Sequence, residues 1–549
     1  MPYRNGGDLL VEVLRAAGVD TAFGVVSIHN LPLVQAVSAA LRFVPVRHEA
    51  AAVNAADGYA RARGGPGCAI TSTGTGAGNA AGSLVEALTA GSPVLHVTGQ
   101  IPTGYLGQGR GFIHETRDQA GMLAAVSKAA YTVQNADAAA DLLPRAIGQA
   151  RTAPGGPVSV EWPIDLQYAP VTATAAAITS PGVAAPEPGV VAEAAALLAA
   201  ARRPAIWAGG GASRAGARLG ELTGRLGAAL FTSNAGRGAV PEDHPLCVGN
   251  YATAPAGQAL LDDADVLLSL GTHFRSNETH TYQLRLPATH VQVDIDPAAL
   301  GRAYPVKLGV CGDADAFLAA LLAALEPATD PGWPARVREA RARARAAQRQ
   351  AIGAQAAVCD AIRAALPRDG IIARDVTIPA SSWGNRLLSV YDPRSNLFAR
   401  GGGIGQGLAM GLGAAAARPA TPVVVIAGDG GLAVHLGELL TLAQERPRLT
   451  LIVFNDGGYG VLRNMQDAQG QPRAGVDLLA PDFAALAAAA RLGYARLDDP
   501  AAAHDVVGSA VAAGRPTLVE VDVVALGPMP ELFVPPVQVP DAVEEVGCW

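Results

Sequence analysis

Two acidic residues stand at matching places in the chain. Asp429 follows the apolar run Val423-Val424-Val425-Ile426 inside Gly428-Asp429-Gly430-Gly431, and Asp456 follows Leu449 to Phe454 inside Asn455-Asp456-Gly457-Gly458. Such β-branched runs are typical of parallel strands buried on both faces. Between them, Leu436, Leu439, Leu440 and Ala443 fall on one stripe of a helix. The stretch is therefore expected to form a βαβ unit, whose strand ends lie side by side where ligands gather in an open α/β sheet. One Asp-Gly turn after a strand is ordinary turn chemistry. Two hard oxygen donors on neighbouring strand ends suit an octahedral Mg²⁺ that also holds phosphate oxygens.

Gly428-Asp429-Gly430 followed by Asn455-Asp456 resembles the GDG…NN signature of thiamine diphosphate enzymes. The resemblance implies metal ligands at Asp429, Asp456 and the backbone carbonyl of Gly458. Asp456 stands where asparagine is usual, which adds negative charge beside a diphosphate. The segment RHEAAAVNAADGYAR resembles the one that holds the family's catalytic glutamate, here Glu49. A carboxyl hydrogen-bonded to the aminopyrimidine favours the tautomer that removes a proton from the cofactor's reactive carbon. Outside that context, a Glu opening a helix is a favourable charge at the dipole's positive end. A zinc HExxH is excluded by Ala52.

Further site residues follow from the same resemblance. Gly402-Gly403-Ile404-Gly405 is similar to the loop in which a bulky apolar residue bends the cofactor. Ile404 would be that wedge, and Gly402 would offer a carbonyl to the pyrimidine amine. Thr377, Tyr459 and the amides of Gly430 and Gly431 are candidates for the diphosphate. Gly74-Thr75-Gly76-Ala77-Gly78-Asn79 follows a strand as a Rossmann loop does, but the next strand ends in Gly99-Gln100 with no acid to hold a ribose. The preferred reading is a pyrimidine-side loop, with Thr73 and Asn79 near the cofactor. His29 occupies a position resembling an active-site histidine of benzaldehyde lyase, and His114 stands where that enzyme and acetolactate synthases carry glutamine. Each could shuttle protons near neutral pH; a structural role is the alternative.

These residues need a scaffold of several sheets. Strands at Thr21–Val26, Phe43–Val46, Cys68–Thr71, Pro93–Thr98 and Val158–Trp162 alternate with helices, as in a doubly wound sheet. Pro- and Ala-rich residues 171–188 resemble a linker, a second α/β set begins at Pro204, and an arginine-rich helical connector runs from Asp330 to Gln355. The fold expected is α/β with three doubly wound parallel-sheet domains. They are a pyrimidine-binding domain at 1–170, a middle domain at 186–329 and a diphosphate- and Mg-binding domain at 356–527, with a proline-rich tail at 528–549. This is the order of the thiamine diphosphate family that includes acetolactate synthase and benzoylformate decarboxylase. Some members keep FAD in the middle domain, but their RFDDR segment is replaced here by His273-Phe274-Arg275-Ser276-Asn277, so an empty middle domain without FAD is favoured.

Composition narrows the class. The 549 residues carry a formal charge of −7 and no basic stripe, so nucleic acid is not an expected partner. Five scattered cysteines without CxxC argue against a disulfide frame or zinc and for a reducing cytoplasm. The first residues form an amphipathic helix start rather than a signal peptide, and no apolar run reaches membrane-spanning length. The resemblance implies a thiamine diphosphate- and Mg²⁺-dependent enzyme that decarboxylates a 2-oxo acid and transfers the acyl carbanion to a second carbonyl. Gln100 and Lys128 look synthase-like and favour this carboligase reading. Simple decarboxylation follows closely, because NDGGYGVL resembles the loop of benzoylformate decarboxylase, and lyase action on a ketol is third. The substrate would be a 2-oxo acid or aldehyde. The family's glutamate reaches cofactor on another subunit, so a homodimer or homotetramer is implied. A non-catalytic cofactor-binding homologue is the reading from a different class.

Overall fold

The structure, a computed structural model, describes residues 4–180, 182, 185–325 and 330–535. Three six-stranded sheets follow one another, each parallel throughout. The first contains β1 (Thr21–Gly24), β2 (Arg42–Pro45), β3 (Gly67–Thr71), β4 (Val94–Gln100), β5 (Ala129–Thr132) and β6 (Val158–Pro163), in the order 2-1-3-4-6-5. The second contains β7 (Pro204–Ala208), β8 (Ala229–Thr232), β9 (Cys247–Gly249), β10 (Val266–Leu270), β11 (Thr289–Asp294) and β12 (Leu308–Cys311), in the order 12-11-10-7-8-9. The third contains β13 (Ile371–Arg374), β14 (Asn396–Phe398), β15 (Val423–Gly428), β16 (Leu449–Asn455), β17 (Gly493–Leu497) and β18 (Thr517–Asp522), in the order 14-13-15-16-18-17. Counted from its own first strand, the third sheet repeats the winding of the first. The strand order reverses between β1 and β3 and between β13 and β15, and α/β sheets bind ligands at such points. The three doubly wound sheets expected from the sequence are present.

Central strands β4, β6 and β15 are buried along their whole length by helices on both faces, which explains their continuous apolar runs. The first and third domains meet where the helices Glu49–Arg63 and Gly407–Ala417 cross. A Cβ on Gly58 would lie 2.1 Å from the Met410 carbonyl oxygen, and one on Gly413 would lie 1.8 Å from that of Ala55. Glycine on each helix lets the two backbones touch. The N-terminus of one of these helices carries Glu49, and the other begins just after Ile404, so the crossing fixes both relative to each other.

Several local expectations need correction. Residues 171–180 are not a free linker: Val171 donates to the Arg4 carbonyl, and Thr172 and Ala173 bond the Asp137 carboxylate. The helix after Asp429 breaks into Asp429–Ala433 and Glu438–Glu445, and Leu440 points outward at 51% exposure while Leu439 and Leu442 fill the core. The connector helix is Trp333–Ile352, and β1 ends at Gly24, leaving Val26 in the following loop. Cys68, Cys247, Cys311 and Cys359 are free. Among the described residues no helix is long and apolar enough to cross a membrane. Pro536, Pro540, Cys548 and Trp549 of the expected tail lie outside the described residues, as do residues 326–329 at the end of the expected middle domain.

Candidate active site

Parallel pairing of β15 with β16 sets Gly428 beside Phe454, so Asp429 and Asp456 emerge next to each other. The Asp456 backbone N–H donates to Asp429 Oδ1 over 3.4 Å. Burial raises the proton affinity of both carboxyls; that of Asp456 is pushed up to about 6, with the Asp429 charge adding to the effect and Arg463 opposing it. Asp456 Oδ1 is buried without a hydrogen-bond partner. A Cβ on Gly430 would lie 2.8 Å from the Gly458 carbonyl oxygen, which brings the third expected donor to the same place. The Tyr459 ring also borders Gly430, and Thr377 Oγ1 stands 3.1 Å from the Cβ position of Gly428. Two crowded carboxylates, an unpartnered oxygen and a facing carbonyl fit a divalent cation. Among the described residues no three His, Cys, Asp or Glu side chains cluster for a metal, so the carbonyl is needed to complete the set.

The loop bearing Gly402 and Ile404 is held from two sides. Beneath it, the buried Asp375 carboxylate accepts the N–H groups of Gly405 at 3.0 Å and Gly407 at 3.3 Å. Burial pushes this carboxyl up to about 6 even though backbone N–H groups favour its charged form. From the first domain, Glu86 accepts the N–H groups of Arg400 and Gly401 and an ion pair from Arg61, which donates in turn to the Phe398 carbonyl. Gly402 has φ +83°, with open space around its Cβ position. Ile404 projects with 37% of its surface exposed.

On the first domain, Glu49 opens its helix after the N-cap His48, whose ring accepts the Ala50 N–H. Asn79 Nδ2 donates to Glu49 Oε2 over 3.0 Å, and a Cβ on Gly76 would fall 2.8 Å from Glu49 Oε1. The expected glycine-rich loop is thus largely helix, Thr75–Ala90 with Gly74 as its N-cap, and its first turns border the half-buried carboxylate. Thr73 lies deeper: it is fully buried, and its hydroxyl donates to Gln119 Oε1 over 2.8 Å. Gln119 also accepts the Gly74 N–H and donates to the Gly99 carbonyl and Glu161.

His29 and His114 meet, with Nδ1 atoms 3.3 Å apart and rings edge to face. His29 is 2% exposed; burial, then the His114 charge, holds its pKa below the usual imidazole value. Asn30 fixes this loop by donating to the carbonyls of Val25 and Thr71. Exposed Ile28 and Ile113 flank the pair. Gln100 and Lys128 face other tasks: Gln100 donates to Glu161, and the Lys128 ammonium donates to the carbonyls of Gln149, Thr152 and Pro154.

The structure therefore assembles two half-sites. Glu49 and Asn79 belong to one, with His29 and His114 on two loops of the same sheet, after β1 and after β4; Asp429, Asp456, Gly458, Thr377, Gly430, Gly431 and Tyr459 belong to the other, with Ile404 on its neighbouring loop. Among the described residues, no hydrogen bond or ion pair joins Glu49, His29 or His114 to Asp429, Asp456 or Thr377. Sequence reasoning missed Asp375, Glu86, Gln119 and Arg463. Only Arg463 had a local signal, seven residues beyond Asp456 on the first turns of a helix.

Comparison with known proteins agrees with this architecture. Three family models match in sequence order: the N-terminal TPP binding domain of thiamine pyrophosphate enzymes at residues 4–122, their central domain at 191–321 and their C-terminal TPP binding domain at 379–521. A probable 2-ketoarginine decarboxylase of Pseudomonas aeruginosa is 36% identical over 87% of this chain and 87% of its own length. A probable acetolactate synthase large subunit of Methanocaldococcus jannaschii is 29% identical over 94% of this chain and 91% of its own. The acetolactate synthase isozyme 2 large subunit of Escherichia coli is 28% identical over 88% and 89%. Three domain matches in this order, on three parallel sheets that end in these residues, make the chain a member of the thiamine pyrophosphate enzyme family and a thiamine diphosphate-dependent enzyme of the acetolactate synthase-like group.

Proposed function

We propose that the protein is a Mg²⁺- and thiamine diphosphate-dependent decarboxylase of a 2-oxo acid, working as a homodimer or a larger symmetric assembly. The observation that carries this reading is that the buried His29 ring meets the half-buried His114 ring, Nδ1 to Nδ1 over 3.3 Å, at the end of the sheet that also bears Glu49. Asp429, Asp456 and the Gly458 carbonyl would hold the metal, a reading supported by the two crowded carboxylates, the Asp456 oxygen without a hydrogen-bond partner and the carbonyl that faces them. The hydroxyl of Thr377 and the amides of Gly430 and Gly431 would bind diphosphate, with Tyr459 packed against them. Ile404 would support the bend of the cofactor, and Gly402, with open space beside it, would take the pyrimidine amine. When bound, the cofactor supplies the electron sink for loss of CO₂. Glu49 would hold a proton against the pyrimidine nitrogen, with Asn79 fixing the carboxyl. His29 starts neutral because of burial, so the pair can pass a proton between its two rings and deliver it to the product carbon.

The exposed apolar side chains Ile28 and Ile113 beside one half-site, and Ile404 and Val434 beside the other, support closure of the site by a second subunit. A 2-oxo acid with a long polar side chain is first among substrates to test, a choice supported by the 36% identical relative named for 2-ketoarginine decarboxylation. The acetolactate synthase relatives favour a second reading, carboligation. That reading no longer draws on Gln100 and Lys128, whose donors are engaged inside the first domain. Incubation with a panel of 2-oxo acids, including 2-ketoarginine and pyruvate, with and without aldehyde acceptors, distinguishes the two. An aldehyde one carbon shorter than its substrate is expected. A 2-hydroxy ketone or a 2-hydroxy-2-alkyl-3-oxo acid as main product would favour carboligation, and no CO₂ from any member would contradict both.

A further inference from the structure

Asp456 presents a charge problem. Where the family signature has a neutral amide, this chain places a second carboxylate beside Asp429, in a site read above as holding a diphosphate. The structure sets one cation against it. Arg463 reaches back from its helix so that Nη1 stands 3.9 Å from Asp456 Oδ1, the same oxygen that has no hydrogen-bond partner. The guanidinium is 15% exposed and the Asp456 side chain 21%, so water screens their attraction only partly.

The other donors of Arg463 explain how the charge is held there. Nε donates to Asp477 Oδ1 over 2.8 Å, and Nη1 and Nη2 donate to the carbonyls of Asp456 and Gly457, each over 3.0 Å. A planar fork with several fixed donors can clasp two successive carbonyls and still face the carboxylate, which a lysine cannot do. The loop it clasps continues directly into Gly458, which pairs with the segment at Asp477. Gly460 completes the fit, because a Cβ there would fall 2.0 Å from Asp456 Oδ2. At 3.9 Å the contact is an ion pair without a hydrogen bond, so Oδ1 keeps its lone pairs for a metal.

We propose that Arg463 is the counter-charge that lets Asp456 serve as a metal ligand beside a diphosphate: it offsets much of the charge the aspartate adds, because its other carboxylate partner, Asp477, is 60% exposed and screened by water. Arg463 is thus a positioning and charge-balancing residue, not a catalytic one, and the inference rests on the metal and diphosphate reading above. An aspartate added to the site alone repels the diphosphate, whereas an aspartate and an arginine added together do so much less. The two positions should therefore be strongly non-additive.

The test is a double-mutant cycle on the full-length protein. Thiamine diphosphate affinity is measured by calorimetry at fixed Mg²⁺, and Mn²⁺ affinity of the cofactor-free protein by electron paramagnetic resonance. Arg463→Met should weaken cofactor binding by about tenfold or more and tighten Mn²⁺ binding about tenfold, because the carboxylate pair loses its nearest cation. Asp456→Asn with Arg463→Met should return cofactor affinity to within about threefold of wild type. Arg463→Lys, which keeps the charge but cannot clasp both carbonyls, should lose clearly less affinity than Arg463→Met. Additive losses in the double variant, or equal losses for the Lys and Met variants, would mean that Arg463 only braces the loop and would overturn the proposal. Absence of cofactor binding by the wild type at saturating Mg²⁺ would instead defeat the metal and diphosphate reading itself.

Discussion

Asn79 donates its side-chain amide to the Glu49 carboxylate over 3.0 Å, joining the helix Thr75–Ala90 after β3 to the helix after β2. The segment that resembled a dinucleotide-binding loop is mostly the first turns of that helix, and it faces an acid. A hydrogen bond to a charged group contributes about 1.5–3 kcal/mol. Asn79→Ala should therefore lower kcat about tenfold or more with little change in thermal stability. Asn79→Asp should be at least as damaging, since it sets two carboxylates against each other. Unchanged kcat in Asn79→Ala would show that Glu49 holds its position unaided.

Glu86 carries the first domain's grip on the loop leading to Gly402 and Ile404. It is 2% exposed and bonded to Arg61 and to two backbone N–H groups of the third domain. Arg61 keeps a second carboxylate partner in Asp57, so losing Glu86 costs mainly the buried backbone N–H groups it satisfies, about 1–3 kcal/mol each. Glu86→Ala should lower the free energy of unfolding by about 2–4 kcal/mol and weaken cofactor binding. Glu86→Gln, which keeps an acceptor, should recover part of both losses. Calorimetric unfolding with and without cofactor checks this.

Stability should fall in mild acid because of two structural histidines. His96 sits fully buried between Thr71 and Ser159, and His290 between Ser269 and the Pro305 carbonyl. Burial lowers both to about 4. The unfolded chain takes up these protons below pH about 6.5 and the folded chain does not until about 4. The stability they contribute is therefore complete above pH about 6.5 and is lost as pH falls through that window, by at most about 3 kcal/mol each. Denaturant midpoints between pH 7.5 and 4.5 should show the decline, and His96→Gln and His290→Gln should each flatten it.

The architecture was legible in the sequence wherever burial was two-sided. β4, β6, β15 and β16 show their apolar runs because helices cover both faces. Strands such as β5, β12 and β17 lie at sheet edges, half covered, and their residues carry no continuous run. The Asp429–Asp456 pairing was readable because parallel register sets two strand ends level. Asp375, Glu86 and Gln119 were not, since each acts on a loop distant in sequence: Glu86 and Gly401, for example, are separated by 315 residues. Leu440 was misplaced because the helix after Asp429 breaks, shifting the register of the apolar stripe.

The proposed sharing of the site between subunits has a direct consequence. Glu49→Gln and Asp429→Asn should each abolish activity through different half-sites. If the halves come from different subunits, mixing the two inactive proteins under exchange conditions should restore up to about a quarter of wild-type activity, because hybrid dimers hold one intact site. No recovery, with hybrids verified by mass spectrometry, would place both halves in one chain.

The most direct test of the account is proton exchange at the reactive carbon of thiamine diphosphate bound with Mg²⁺. Wild type and Glu49→Gln are compared after quenching in deuterated buffer, with cofactor affinity measured in parallel. A Glu49 that positions the pyrimidine proton predicts exchange slowed by about 10²–10⁴-fold in the variant while the cofactor still binds. Undiminished exchange in Glu49→Gln with cofactor bound would contradict it.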